Sequence, residues 1–450
     1  MADQGAAIRD AFATALRRQN DGELAAAEAI WRDILAIDRQ HGDALHHLGT
    51  LLHQLGRNDE AAEVFARAVS SKPLAAEVHF AHALALQEIG KLDEAGASYE
   101  RALALKPDYP EANLWSGLLL IKQGKFAQAW SRIERRPALY RDFPQPLWDG
   151  RPLLRETLLV QNEGGWAGLG DTIQFCRYLS ILQEKCPNVL FEVQRPLTKL
   201  MADSFGAGMI VQRDEAISGF DWRVPIFSLP CLLKTKLETI PAAVPYLRTD
   251  PALVRSWAER LARFGRPRVG VVWASNPLPP GRSVPLAALR PILEIPGIDF
   301  FSLQVGERTR DLADEPDLNI CDLSPLLTDF SETAAAMTQL DLCISVDTSV
   351  AHLAGALARP VWVLLRFAAY SLWLIDREDS PWYPTMRFFR QDRRRDWGPV
   401  IDRLAADLLS LAQGNRSVLA PRREVRSAGG WRERFFGRGR KSVWRTRRGP

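Results

Sequence analysis

Apolar positions along the chain follow two regimes. Up to about residue 136 they recur at helical spacing inside a longer unit of 34 residues: Gly22, Gly56, Gly90 and Gly124 keep that interval, as do Ala27, Ala61, Ala95 and Ala129. Trp31, Phe65, Tyr99 and Ile133 share the register, and Pro73 and Pro107 recur with it. A small residue where two helices touch, an aromatic one turn later and a closing proline predict stacked helix pairs over about 6–136. The four prolines of PALYRDFPQPLWDGRP (137–152) end this period and predict an extended linker over 137–154. Beyond it, short runs apolar at nearly every position alternate with helical stretches, the pattern of strands buried on both faces of parallel sheets. Strands are predicted at 157–161, 189–193, 209–211 and near 222–226, then at 269–273, 299–303, 342–346 and 361–365. Helices are predicted at 173–185, 251–264, 286–293, 330–340 and 350–357. The alternation restarts after 251, so the reading is two successive doubly wound halves, 155–250 and 251–413, with a cleft between them.

Two strand-to-helix loops carry polar residues at the sheet edge where such folds bind ligands. In SVDTSVAHLAGAL (345–357), Asp347, Thr348 and Ser349 offer three candidate N-caps in a row. The helix after them presents free N–H groups and the positive end of its dipole, which suits a phosphate. His352 lies four residues after Thr348 and shares its helical face. A plain cap and a hydrogen-bonded, half-buried histidine form the competing reading. In NEGGWAGLGDT (162–172), Gly164, Gly165, Gly168 and Gly170 permit a tight turn and close approach of a ligand, without the G-x-G-x-x-G dinucleotide fingerprint. Asp171, at the mouth of that turn, is either the cap of the next helix or a general base. His46, His47, His53, His79 and His82 fall on different helical faces without an acidic partner, which favours packing over a metal site.

Composition then narrows the setting. At 450 residues, 46% hydrophobic and 25% charged, the chain has ample core for two or three domains. No run of 18 apolar residues occurs, and MADQGAAIRDAF lacks the pattern of a signal peptide. The five cysteines (176, 186, 231, 321 and 343) show no C-x-x-C spacing, which fits reduced thiols in a cytoplasm and speaks against a structural zinc site. The net charge of +4 hides an asymmetry: residues 414–450 hold twelve Lys or Arg against Glu424 and Glu433, leaving the rest near −6. That basic tail, with Trp431, Phe435, Phe436 and Trp444 interspersed, reads as a solvated disordered segment. A second reading places it on an anionic membrane surface, at the inner face of the membrane. No RNA-binding module accompanies it, and no nucleic-acid partner is expected.

The 34-residue repeat resembles the tetratricopeptide repeat, whose concave arrays hold a peptide or partner protein. GLGDTIQFCRYLSIL (168–182), VGVVWASNP (269–277), FSLQ (301–304), SVDTSVAHLAGAL (345–357) and EDSPWYPTMRFFRQ (378–391) together resemble a bacterial group. Its members join such repeats to a heptosyltransferase-like (family 9-like) glycosyltransferase domain. The likeness extends over nearly all of 6–411. It implies an α + α/β architecture: tetratricopeptide helical repeats, then a two-Rossmann-domain glycosyltransferase fold of the B type, with a nucleotide-sugar donor held by the second half. On this resemblance Asp171 is the general base that takes the acceptor's proton, in a glycine loop with Gly168 and Gly170. Asp347, Thr348, Ser349 and His352 form the loop at the donor diphosphate, Arg282 and Ser283 approach the phosphates, and Gln304 lies near the nucleoside or ribose. No metal or other cofactor is expected, since such enzymes resemble metal-independent ones and the sequence has no Asp-x-Asp to hold a cation. Two departures fall at the cleft: ASNPLPPGRS (274–283) is short, with adjacent prolines, and EGGWAGLGD (163–171) is long. The expected function is a cytoplasmic glycosyltransferase acting on a protein or glycan acceptor that the repeats recruit, with the repeats taking no part in the chemistry. The alternative is a non-catalytic interaction scaffold with a degenerate transferase domain.

Overall fold

Eight helices build the first third of the chain: α1 (Ala2–Asn20), α2 (Leu24–Ile37), α3 (Gly42–Gln54), α4 (Asn58–Ser71), α5 (Ala76–Glu88), α6 (Leu92–Leu105), α7 (Pro110–Lys122) and α8 (Phe126–Ile133). They pair as the 34-residue period requires. Gly22, Gly56, Gly90 and Gly124 turn each pair in the left-handed region, with φ between 70° and 82°, where a side chain would be strained. Ala27, Ala61, Ala95 and Ala129 are fully buried at the helix crossings, and Trp31, Phe65 and Tyr99 fill the spaces beside them. The repeat histidines serve locally: His79 Nε2 meets Pro73 O at 3.1 Å, His53 Nδ1 meets Asn58 Oδ1 at 2.7 Å, and His47 stacks on Trp31. The structure, a computed structural model, describes residues 2–138, 140–164, 168–265, 267–277 and 280–422.

The proline-rich segment is held along most of its length. Leu147 bridges Arg223 in parallel register, Trp148 is buried, and Phe143 sets its ring edge against Phe220 at 5.1 Å. It thereby extends the edge of the first sheet, and the fourth repeat shares that sheet's core. Leu114, Ile121, Phe126, Trp130 and Ile133 pack in one cluster with Leu158, Ile173, Phe175 and Trp382.

Strands β1 (Thr157–Gln161), β2 (Asn188–Val193), β3 (Ile210–Gln212) and β4 (Trp222–Pro225) form a parallel sheet in the order β3-β2-β1-β4. Strands β5 (Arg268–Val272), β6 (Asp299–Ser302), β7 (Ile320–Asp322), β8 (Leu342–Val346), β9 (Val361–Leu365) and β10 (Met386–Arg390) form a second, in the order β10-β9-β8-β5-β6-β7. Every pairing in it is parallel, and β5, β8 and β9 are buried at every residue, which explains their mostly apolar runs. The order reverses between β5 and β8 in this sheet, and between β1 and β4 in the first. Both crevices open at the carboxyl ends of the strands, where open α/β sheets take ligands.

Differences from the sequence reading have local causes. β7 and β10 stand where no strand was predicted, because Ile320–Asp322 is short and Met386–Arg390 sets two phenylalanines between two arginines. The segment predicted as one helix at 286–293 is a 3₁₀ turn (Leu286–Leu289) followed by one helical turn (Arg290–Leu293), with Pro291 at the junction. The tail does not begin at 414. Val418 and Leu419 pack on the second half, Arg416 pairs with Asp341 at 2.7 Å and Arg422 with Asp407 at 2.9 Å, so 414–422 belong to the body. The remainder of the predicted tail, 423–450, lies outside the described residues.

Candidate active site

The helix carrying Asp171 starts earlier than its apolar pattern suggests, at Leu169, and runs to Phe175. Gly168 is therefore the N-cap and Asp171 sits in the first turn, not at the mouth of the loop. Its Oδ2 accepts from the Gly168 N–H at 2.9 Å, so the capping reading is right in substance although the cap position is not. Its Oδ1 accepts from the Tyr370 hydroxyl at 3.2 Å, a group supplied by the other half. Burial pushes the Asp171 carboxyl up to about 6, against the pull of the Gly168 N–H and Tyr370 hydroxyl. A carboxylate poised there can accept a proton near neutral pH.

Of the three candidate caps in the second loop, Thr348 is the one used: its Oγ1 accepts from the Val350 N–H at 3.3 Å and meets Ser345 Oγ at 3.0 Å. Ser349 opens the helix Ser349–Ala356. Asp347 is buried, and its Oδ1 accepts from the Trp373 indole N–H at 2.9 Å, while its backbone carbonyl accepts from Arg282 Nη2. Arg282 thus reaches the crevice between β5 and β8 despite the short proline loop, and its Nε–H is buried there with no partner among the described residues.

His352 is buried, stacked on Trp373 with ring centroids 4.8 Å apart, and its Nδ1 meets the Tyr383 hydroxyl at 3.0 Å. Burial, and then the charges of Arg177 and Arg282, push its pKa down to about 3. It is a neutral imidazole, able to give or take one hydrogen bond at its outer nitrogen, and it brings no positive charge to a diphosphate.

Gly170 brings the two loops together. A Cβ there would stand 2.9 Å from His352 Cδ2 and 3.3 Å from Ser349 Cα, so only glycine allows the two helix starts this approach. Beneath them buried Arg177, with no carboxylate partner among the described residues, donates to Trp382 O at 2.6 Å, Pro241 O at 3.1 Å and the Tyr246 hydroxyl at 3.0 Å. It also lies over the rings of Tyr246, Tyr383 and Trp382. The bond to Trp382 O and the contacts with the Tyr383 and Trp382 rings tie the first half to the second.

Two predicted residues face inward. Ser283 Oγ accepts from the Ser275 N–H at 3.1 Å. Gln304 is buried; its Oε1 accepts from the Ala274 N–H at 2.9 Å and its Nε2 donates to Val305 O at 3.1 Å. Both tie down the loop after β5. The structure thus brings Asp171, Gly168, Gly170, Arg282, Asp347, Thr348, Ser349 and His352 to one place and sets Ser283 and Gln304 in its frame. Sequence reasoning missed Tyr370, Trp373, Tyr383 and Arg177. Buried Tyr and Trp normally find a partner for their polar tip, and the cluster of aromatics between 370 and 383 was the available signal. Among the described residues, no three or more His, Cys, Asp or Glu are grouped to hold a metal ion.

Comparison with known proteins matches residues 11–76 to a tetratricopeptide repeat model, 85–124 to a TPR repeat model, and 305–366 to glycosyltransferase family 9 (heptosyltransferase). The last span contains Asp347, Thr348, Ser349 and His352. Protein FlbA of Caulobacter vibrioides is 28% identical over 293 residues, an alignment covering 59% of this chain and 48% of FlbA. The chain therefore matches about half the length of that relative. Among solved structures, a MamA crystal structure is 21% identical over 30% of this chain and 72% of its own, with a TM-score of 0.28. A tetratricopeptide repeat protein from Parabacteroides merdae is 21% identical over 28% and 51% respectively, with a TM-score of 0.27.

Proposed function

We propose, from the premise that this chain joins tetratricopeptide repeats to a family 9 (heptosyltransferase) glycosyltransferase domain, that it moves a sugar from a nucleotide-sugar to a protein or glycan acceptor recruited by the repeats. One observation carries the reading: a proton-accepting carboxylate from the first half meets a phosphate-type helix start and an arginine from the second, at a single crevice.

Inverting transfer needs a base on the acceptor hydroxyl and positive electrostatics on the departing diphosphate. Asp171 supplies the first. The Arg282 Nε–H, unpartnered among the described residues, and the positive end of the helix Ser349–Ala356 supply the second, with His352 adding one neutral hydrogen bond. Asp347 has the wrong sign to hold phosphate and works by ordering the loop through Trp373 and Arg282. Nothing in this scheme asks for a metal.

The test is a panel of UDP-, ADP- and GDP-sugars with the full chain, read as release of the nucleoside diphosphate. Release from one of them that Asp171→Asn abolishes supports the reading. No release from any donor, together with no binding, leaves the repeat scaffold as the function.

A further inference from the structure

We propose that Glu88 and Arg136, two side chains of the repeat array, are positioning residues that anchor the two faces of the cleft, so that the repeats are part of the site's frame. The inference rests on the reading of the cleft given above.

Arg136, just after α8, donates to both carboxylate oxygens of Glu163, one at 2.8 Å, and to Ser228 Oγ at 3.0 Å. Glu163 is fully buried and stands at the end of β1, where the glycine loop begins. The first face is thus fixed from the repeats. At the second face, Glu88 at the end of α5 takes both Nη groups of Arg366, at 2.7 and 3.0 Å, in a largely buried pair. Buried Lys122, at the end of α7, lies beside that pair, and burial lowers its amine to about 8.

Arg366 begins the strap that leaves β9. Within eight residues the strap sends Tyr370 to Asp171 and Trp373 to Asp347 and His352. It then turns sharply at Leu374, in the left-handed region at φ 54°, with Arg390 holding the Trp373 carbonyl at 2.6 Å. Such a conformation persists only where its surroundings enforce it. The turn between α3 and α4 adds a third anchor: Arg395 Nη2 donates to Gly56 O at 3.0 Å, and Arg394 pairs with Asp59. A bidentate pair fixes direction as well as distance. Both aromatic donors that meet the cleft's aspartates therefore take their place from Glu88.

The experiment uses the full chain with Glu88→Gln, Arg366→Gln and the double variant, and two readouts. Amide hydrogen exchange reports the frame directly. Exchange should quicken over 366–374 and 347–349 in all three variants, while β5 and β8 stay protected. Calorimetry with UDP, ADP and GDP, at a temperature where circular dichroism shows every variant folded, reports the site. The nucleotide that the wild type binds should be held about 5- to 150-fold more weakly by each variant. The double variant should match the singles, because they break one connection. Faster exchange confined to α5, or affinity unchanged in folded variants, overturns the inference. If the wild type binds no nucleotide, the transferase reading fails, and the exchange pattern alone decides whether the repeats hold the strap. Should Glu88→Gln not fold, Arg366→Lys, which keeps the charge and loses the fork, serves in its place with the same outcomes.

Discussion

The loops after β1 and β8 are built alike and do opposite things. Each leaves the carboxyl end of a buried parallel strand, each places an aspartate at a helix start, and each aspartate takes a hydrogen bond from an aromatic residue of the same strap. Asp171 is half-buried, holds its proton up to about 6 and can hand it on. Asp347 is buried, receives an indole N–H and uses its backbone to hold an arginine. The residue type decides neither role. Position within the helix start does, together with what lies opposite.

The largest expected effect breaks the pair at its chemical member. Asp171→Asn keeps the acceptor for the Gly168 N–H and loses the base, so turnover should fall by about 10² or more while nucleotide affinity holds. The same substitution should raise the melting temperature at pH 7. A carboxyl raised when folded stabilises below its unfolded pKa and loses that contribution as pH climbs through about 6, and Asn removes the penalty. Full activity in this variant would reduce Asp171 to a helix cap.

On the donor side, Arg282→Ala should weaken nucleoside diphosphate binding by about 10- to 150-fold, the worth of a hydrogen bond to a charged group. Asp347→Asn should weaken it less, since that carboxylate acts through the loop. Calorimetry on the two variants ranks them, and the reverse order would make Asp347 a direct ligand.

The strap offers a finer separation. Tyr370→Phe removes a bond that lowers the Asp171 pKa, so the acid limb of the activity profile should move up by about one pH unit. Trp373→Phe touches Asp347 instead and should leave that limb in place while weakening nucleotide binding. An unmoved limb in Tyr370→Phe would show that the cross-domain bond does not act on the base.

His352 gives the smallest and slowest signal. Its folded pKa lies near 3, below the ordinary value of 6.5, so its contribution to stability is complete above about 6.5 and lost as the pH falls towards 3. His352→Gln should flatten the fall of unfolding free energy across that window by up to about 1.4 kcal/mol per pH unit. Denaturant titrations at several pH values would show an unchanged slope if the imidazole titrates normally.

How far the sequence could be read follows from the length of the patterns involved. The repeats were legible because four copies of one register leave little freedom; the structure adds that Gly22, Gly56, Gly90 and Gly124 each turn their pair in the left-handed region. β1, β8 and β9 were legible to the residue because burial on both faces leaves a short, mostly apolar run. β10 was hidden: Arg387 and Arg390 interrupt its run, and Arg387 pairs with Asp407 from a distant helix. The site residues came from short motifs, which name the loops but not their partners. Tyr370 and Trp373 lie some 200 and 26 positions from the aspartates they meet, and no local period encodes that. Gln304 and Ser283, expected near a ligand, each also hydrogen-bond the loop after β5, a role their motifs did not announce. The proline segment read in sequence as an extended linker. Packing of the fourth repeat into the first half's core made it a seam.

Central to this reading is a donor site formed by Arg282 and the loop after β8, facing Asp171. Calorimetric titration of the full chain with UDP, ADP and GDP at up to millimolar concentration tests it most directly. The account predicts that one of them binds with a single site per chain and that Arg282→Ala weakens it by at least about tenfold. A wild-type chain that binds none of the three at millimolar concentration would contradict it.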